Sequence, residues 1–116
     1  MAIRSGSDLI NEAKTRIQEV GVSEAKAQPN VVYLDVREPN EWNLGRVPGA
    51  KFIPRGQLET NVEKQISRDA TVVIYCASGN RSALAADTMQ TMGYEHVSSL
   101  RGGFRAWVDA GGEVEG

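Results

Sequence analysis

The chain has 116 residues but only one cysteine and one histidine, and no apolar run approaches membrane-spanning length. A lone cysteine closes no internal disulfide, so the fold does not depend on an oxidising compartment. Charge of one sign is also missing. Thirteen basic residues against fifteen acidic ones leave a net charge of −2, too little for a field that recruits nucleic acid or a membrane surface. The opening Met-Ala-Ile-Arg-Ser-Gly-Ser-Asp lacks the apolar stretch of a signal peptide, so a cytoplasmic protein is the default expectation, with a leader already removed left open. There are no repeats and no low-complexity linkers. What remains is an ordinary globular composition, 41% apolar and 24% charged, long enough for one domain with a substantial core.

Periodicity and punctuation divide the chain into alternating helices and strands. Leu9, Ala13 and Ile17 recur at spacings of four and predict an amphipathic helix over Ser7–Gln18, capped by Asp8 or Ser7 and ended by Gly21. Ser23–Ala27 reads as a short second helix before the Pro29-Asn30 turn. Val31–Val36 is apolar on both faces, as a strand in a covered parallel sheet is. Arg37–Trp42 follows as a loop or a single helical turn, and Ala50–Pro54 is a short strand closed by proline. Gln57–Gln65 and Ser82–Met92 read as helices, Val72–Tyr75 and His96–Leu100 as strands, and Phe104–Ala110 as a closing helix. Such alternation predicts an α/β fold with a mostly parallel sheet and, by the right-handed crossover rule, helices on both faces.

In such sheets the ligand crevice lies beyond the carboxyl ends of the strands. Arg37, Arg55, Cys76 and Arg101 each follow a strand, so all four are expected at that edge, the three arginines as pocket candidates. His96 begins its strand and is expected at the opposite edge, roughly 15 Å away for five residues. That separation removes a Cys–His protease and leaves no credible metal shell, and no cofactor is called for.

The most informative stretch is Val72-Val73-Ile74-Tyr75-Cys76-Ala77-Ser78-Gly79-Asn80-Arg81-Ser82. It reads as a buried strand, a short polar loop and a helix start. Loops of that kind aim backbone N–H groups at one point, with the positive end of a helix dipole behind them. A thiol at that point ionises readily, because the thiolate is the form those amides favour. The other reading is an inert buried cysteine.

These residues resemble the rhodanese-like sulfurtransferases. Cys76-Ala77-Ser78-Gly79-Asn80-Arg81-Ser82 is similar to the active-site loop of the single-domain members. Asp35-Val36-Arg37-Glu38 with Glu41-Trp42, Gly45-Arg46-Val47-Pro48-Gly49-Ala50, Phe52-Ile53-Pro54, and Leu100-Arg101-Gly102-Gly103-Phe104 with Trp107 match further family motifs in order. The likeness runs from about residue 31 to 108. It departs at Arg46, where the family usually has His, and at Ser7–Arg16, which precede its usual start. The division expected is a helical extension over residues 1–22, packed on the domain or docking a partner, and a rhodanese-like domain over residues 23–112.

The resemblance implies a five-stranded, rhodanese-like sheet and a sulfur-loaded Cys76 cradled by the loop Ala77, Ser78, Gly79, Asn80, Arg81 and Ser82. It implies transfer of sulfane sulfur from thiosulfate or a persulfide, donated by a small molecule or a protein, to cyanide or a thiol acceptor. Within that reading Arg81 either lends charge to the donor or holds the loop. Arg37 ties down its own segment, through Glu41, or touches substrate. Asp35 is expected as a buried acceptor, and Trp42 and Trp107 as packing residues. Two rivals stay open: a non-catalytic binding or regulatory module, and a cysteine-based phosphatase or arsenate reductase. The latter loops place five residues between Cys and Arg, where Cys76 and Arg81 are separated by four. Oligomeric state is not legible.

Overall fold

Burial with a period of two in the central strand sets the architecture. Val72, Ile74 and Cys76 turn to one face and Val73 and Tyr75 to the other, and all five are sealed from solvent. A strand buried on both sides needs cover on both sides. The computed structural model, which describes residues 3–116, supplies that cover with helices.

Five strands form the sheet: β1 (Gln18–Val20), β2 (Val31–Asp35), β3 (Lys51–Phe52), β4 (Thr71–Tyr75) and β5 (Val97–Leu100). Their order is β1-β5-β4-β2-β3, and each pairing is parallel. The helices are α1 (Gly6–Arg16), α2 (Val22–Ala27), α3 (Pro39–Leu44), α4 (Leu58–Gln65), α5 (Asn80–Thr91) and α6 (Gly103–Asp109). One core joins Leu34, Val72, Ile74 and Cys76 to Leu58 and Val62 of α4 and Ala85, Ala86 and Met89 of α5. The other joins Val73, Tyr75 and Leu100 to Ala25 of α2 and Trp107 of α6. The expected five-stranded α/β fold with helices on both faces is what the structure has.

The N-terminal segment departs from expectation in two ways. Ser5, not Asp8 or Ser7, caps α1. Its hydroxyl accepts from the Asp8 N–H at 3.1 Å while the Asp8 carboxylate accepts from the Ser5 N–H at 2.9 Å, a reciprocal capping box. The helix then stops at Arg16, and Gln18–Val20, placed by sequence within a helical extension, is instead edge strand β1 paired with β5. Three residues are too few to show a strand's period, and only the neighbouring strand decides their conformation. α1 lies on α5: Ala13 is fully buried, the Arg16 guanidinium donates twice to the Asp87 carboxylate at 3.0 and 2.7 Å, and Gln90 donates to the Arg16 carbonyl. Smaller differences follow the same logic. Pro39 at the first turn lets α3 run to Leu44, and α5 starts at Asn80 rather than Ser82, which shortens the cysteine loop to Ala77–Gly79.

Candidate active site

Cys76 leaves β4 at its carboxyl end, and its side chain becomes the acceptor around which the next six residues fold. The Gly79 N–H donates to Sγ at 3.1 Å and the Ser82 N–H at 3.4 Å, with the Ser82 hydroxyl at 3.5 Å. Gly79 takes the turn at φ +107°, a left-handed conformation that glycine adopts without strain, and serves as the N-cap of α5. Burial alone would push the Cys76 thiol up. The Ser82 hydroxyl and the Ser82, Gly79 and Ser78 amides outweigh it, and the thiol lies below its ordinary pKa.

The loop amides point inward because the loop carbonyls are held from outside. The Phe104 N–H donates to the Cys76 carbonyl at 2.8 Å and the Arg105 N–H to the Ala77 carbonyl at 3.2 Å. Both donors belong to the first turn of α6, where helical amides lack internal partners. Close approach requires Gly103, at φ +59°: a side-chain carbon there would fall on the Cys76 carbonyl oxygen and 2.7 Å from the Ala77 carbonyl carbon. Gly103 thus sets the direction of the cradle without touching the sulfur.

The arginines divide by what they already hold. Arg81 donates to both carboxylate oxygens of Glu41, at 2.9 and 3.2 Å, so it braces the start of α5 against α3. The Arg81 guanidinium holds the Glu41 carboxyl below its usual range, and Glu41 also accepts from the Glu38 N–H as the α3 capping partner. Arg37 is not held by Glu41, as the sequence suggested. Its guanidinium lies against Asp35, Nε at 3.0 and 3.1 Å from the two carboxylate oxygens and a terminal nitrogen at 2.7 Å, and it donates to the Gly45 carbonyl. The pair is buried, with the Asp35 side chain 0% and that of Arg37 5% exposed, and Arg37 stacks 4.4 Å above the Phe104 ring. Arg55 donates to Glu59 and to the Thr88 hydroxyl. Arg101 is turned away from the loop: it is exposed, donates to the Glu19 carbonyl and sits 3.8 Å from the Glu24 carboxylate, toward β1 and α2.

Among the remaining loop residues, Ser78 and Asn80 are exposed, Ala77 is half-buried and Ser82 is fully buried. Trp42 is half-buried between Phe52, stacked at 4.8 Å, and Arg46, 4.6 Å from its ring; Trp107 is buried edge-on to Tyr33. One polar contact was not legible in the sequence. Ser99 of β5, sealed from solvent, places its hydroxyl 2.8 Å from that of Ser82. A serine in a strand carries no local sign of this partner, seventeen residues away.

Comparison with known proteins agrees with this geometry. The model of the rhodanese-like domain matches residues 21–110. The chain belongs to the rhodanese-like family. Within it, YqhL of Bacillus subtilis is 39% identical over 82 residues, 71% of this chain and 62% of that protein, so the rhodanese-like chain spans under two thirds of that relative. The thiosulfate sulfurtransferase GlpE of Tolumonas auensis is 34% identical over 68% of this chain and 74% of its own length. A Rhodopseudomonas palustris structure of unknown function, described as a possible tyrosine phosphatase, superposes with a TM-score of 0.87 at 36% identity, over 99% of this chain and 97% of its own. That coverage takes in α1 and β1, which precede the family match.

Proposed function

We propose that this rhodanese-like chain is a sulfurtransferase that carries sulfane sulfur as a persulfide on Cys76. The observation that carries the reading is the convergence on Cys76 Sγ of the Gly79 and Ser82 N–H groups and the Ser82 hydroxyl, in a loop with only four residues between Cys76 and Arg81. Donors fixed in that way stabilise a sulfur anion both before and after loading. The thiosulfate sulfurtransferase of Tolumonas auensis, a member of the same family, supports the same chemistry.

In the first half-reaction the Cys76 thiolate attacks the outer sulfur of thiosulfate or of a persulfide. The donor's S–S bond breaks, sulfite or the donor thiolate leaves with the bonding pair, and Cys76–S–S⁻ forms. In the second, cyanide or an acceptor thiolate attacks the terminal sulfur, takes it as thiocyanate or a new persulfide, and returns the Cys76 thiolate. The enzyme alternates between two covalent states, so ping-pong kinetics are expected. A reducing compartment such as the cytoplasm keeps the single thiol free for this cycle. Arg81 holds the loop through Glu41, and the Asp35–Arg37 pair anchors the segment after β2. Neither guanidinium is left as a free cation for a donor, which favours a persulfide over the doubly charged thiosulfate.

The phosphatase description of the Rhodopseudomonas palustris protein keeps one rival worth testing. A cradle with one residue fewer between Cys and Arg encloses a single sulfur better than a tetrahedral oxyanion. Intact mass after incubation with thiosulfate or glutathione persulfide decides between them. One added sulfur, removed by cyanide and accompanied by no aryl-phosphate hydrolysis, is the expected outcome. An unchanged mass with both donors overturns the sulfurtransferase reading, and phosphate-ester turnover without loading replaces it with the rival.

A further inference from the structure

The Ser82–Ser99 contact lies outside everything the loop needs to close. Ser99 sits in β5, whose four residues Val97–Leu100 are all buried, with Ile74 opposite it in the sheet on one side and Glu19 on the other. A hydroxyl in such a strand is costly unless it is bonded. Its side-chain partner is Ser82 Oγ at 2.8 Å, and both serines are 0% exposed. Ser82 Oγ in turn lies 3.5 Å from Cys76 Sγ. The three atoms form a chain that begins on one strand, passes through the first turn of a helix and ends on the nucleophile.

The ionised state fixes the direction of that chain. A thiolate has no hydrogen to give, so the Ser82 hydroxyl donates to Sγ. The Ser82 oxygen then faces Ser99 with lone pairs only and must accept, so Ser99 donates. We propose that Ser99 is a positioning residue for Cys76: its hydroxyl donates to Ser82 Oγ and thereby holds the Ser82 hydrogen on the sulfur. Chains of this kind polarise along their length, so the far member strengthens the near bond without meeting the anion. The charged groups on surrounding elements do not substitute for it. Arg81 of α5 is spent on Glu41, Asp35 at the end of β2 and Arg37 just beyond it hold each other, Arg105 and Asp109 of α6 are exposed, and β5 carries no charged residue. This inference rests on Cys76 being the reacting group.

The test is the rate of Cys76 alkylation by iodoacetamide against pH, on the full chain, for Ser99→Ala, Ser82→Ala, the double variant and Ser98→Ala. Ser99→Ala is expected to raise the midpoint by about 0.3 pH and to slow alkylation near neutrality roughly twofold. Ser82→Ala moves it further, and adding Ser99→Ala in that background moves it no more. Ser98→Ala, an equal truncation one residue away, leaves it in place. Ser99→Thr and Ser99→Val supply a second pair, close in shape and differing in the hydroxyl; threonine holds the midpoint and valine raises it. A midpoint unchanged in Ser99→Ala, or raised equally when Ser82 has no hydroxyl, overturns the proposal. Alkylation needs no sulfur donor, so a protein that never takes up sulfur sinks the sulfurtransferase reading and leaves this result standing or falling by itself.

Discussion

At the carboxyl edge of the sheet, donors from the loop and from α5 meet at one sulfur; at the amino edge, Gln18, Gln28, Thr71, Glu95, His96 and Ser98 line an open polar depression. Both edges are rich in groups that can bond. The difference lies in what the parallel topology delivers to each. Every strand in this sheet runs the same way, so helices begin at the carboxyl edge and end at the amino edge. Helix starts bring unpaired N–H groups and a positive dipole end, which suit an anion. The amino edge receives side chains of mixed character that share no common target. Polarity is common to the two regions, and convergence belongs to one.

The strongest way to break this contrast is to remove the atom on which the donors converge. Cys76→Ser should reduce thiosulfate-to-cyanide transfer to background and abolish the mass gain, while the melting temperature stays near that of the parent. Serine fits the same space but forms no persulfide. Transfer above background would mean that the sulfur travels by another route.

Next in size is the buried charge that anchors the carboxyl edge. Asp35→Ala leaves the Arg37 guanidinium buried beside Phe104 without its carboxylate. Stranding one member of a buried pair costs about 3–5 kcal/mol. Thermal and denaturant unfolding should show a loss of that order, and a variant as stable as the parent would remove the pair from any account of the edge. Gly103→Ala follows. Its left-handed φ and the contact with the Cys76 carbonyl together cost about 2 kcal/mol. The same variant should raise the alkylation midpoint, since a displaced α6 frees the loop carbonyls to turn. A stability loss with an unmoved midpoint would separate the fold from the orientation of the cradle.

The parent's own midpoint measures the convergence directly. Because the donors favour the thiolate, Cys76 should alkylate with a midpoint below the free-thiol value of about 8.5. The rate climbs as pH rises through that lowered pKa and is flat above it. A midpoint at or above the free value would mean that burial wins over the donors. The smallest effect belongs to the opposite edge. His96→Ala removes an exposed side chain there and should change stability by less than about 0.5 kcal/mol and transfer not at all. A clear loss of transfer would give the amino edge a role that its geometry does not suggest.

Much of this was legible along the chain. The strand Thr71–Tyr75, the loop and α5 are contiguous, so the position of Cys76 at a strand end and the identity of the nearby amide donors follow from local order. Arg37 and Cys76 were assigned to one edge because both leave strands of one parallel sheet. Arg101 shows the limit of that rule: it follows β5 and lies at the expected edge, yet its side chain turns to Glu19 and Glu24 instead. Strand order tells which end a residue occupies and leaves its rotamer to the neighbours. β1 failed for a related reason, since three residues become a strand only by pairing with β5.

The sequence by itself determined the alternation of helix and strand, the two-faced burial of β4 and the single thiol at a helix start, because each rests on residues a few positions apart. Tertiary structure alone decided which distant groups complete the cradle. Glu41 reaches Arg81 across forty positions, Ser99 reaches Ser82 across seventeen, and Gly103 brings the α6 amides onto the Cys76 carbonyl. Those partners are set by the sheet order β1-β5-β4-β2-β3, which places β5 on one side of β4 and β2 on the other. The order follows from how crossovers pack two cores at once, and no short window of sequence records it.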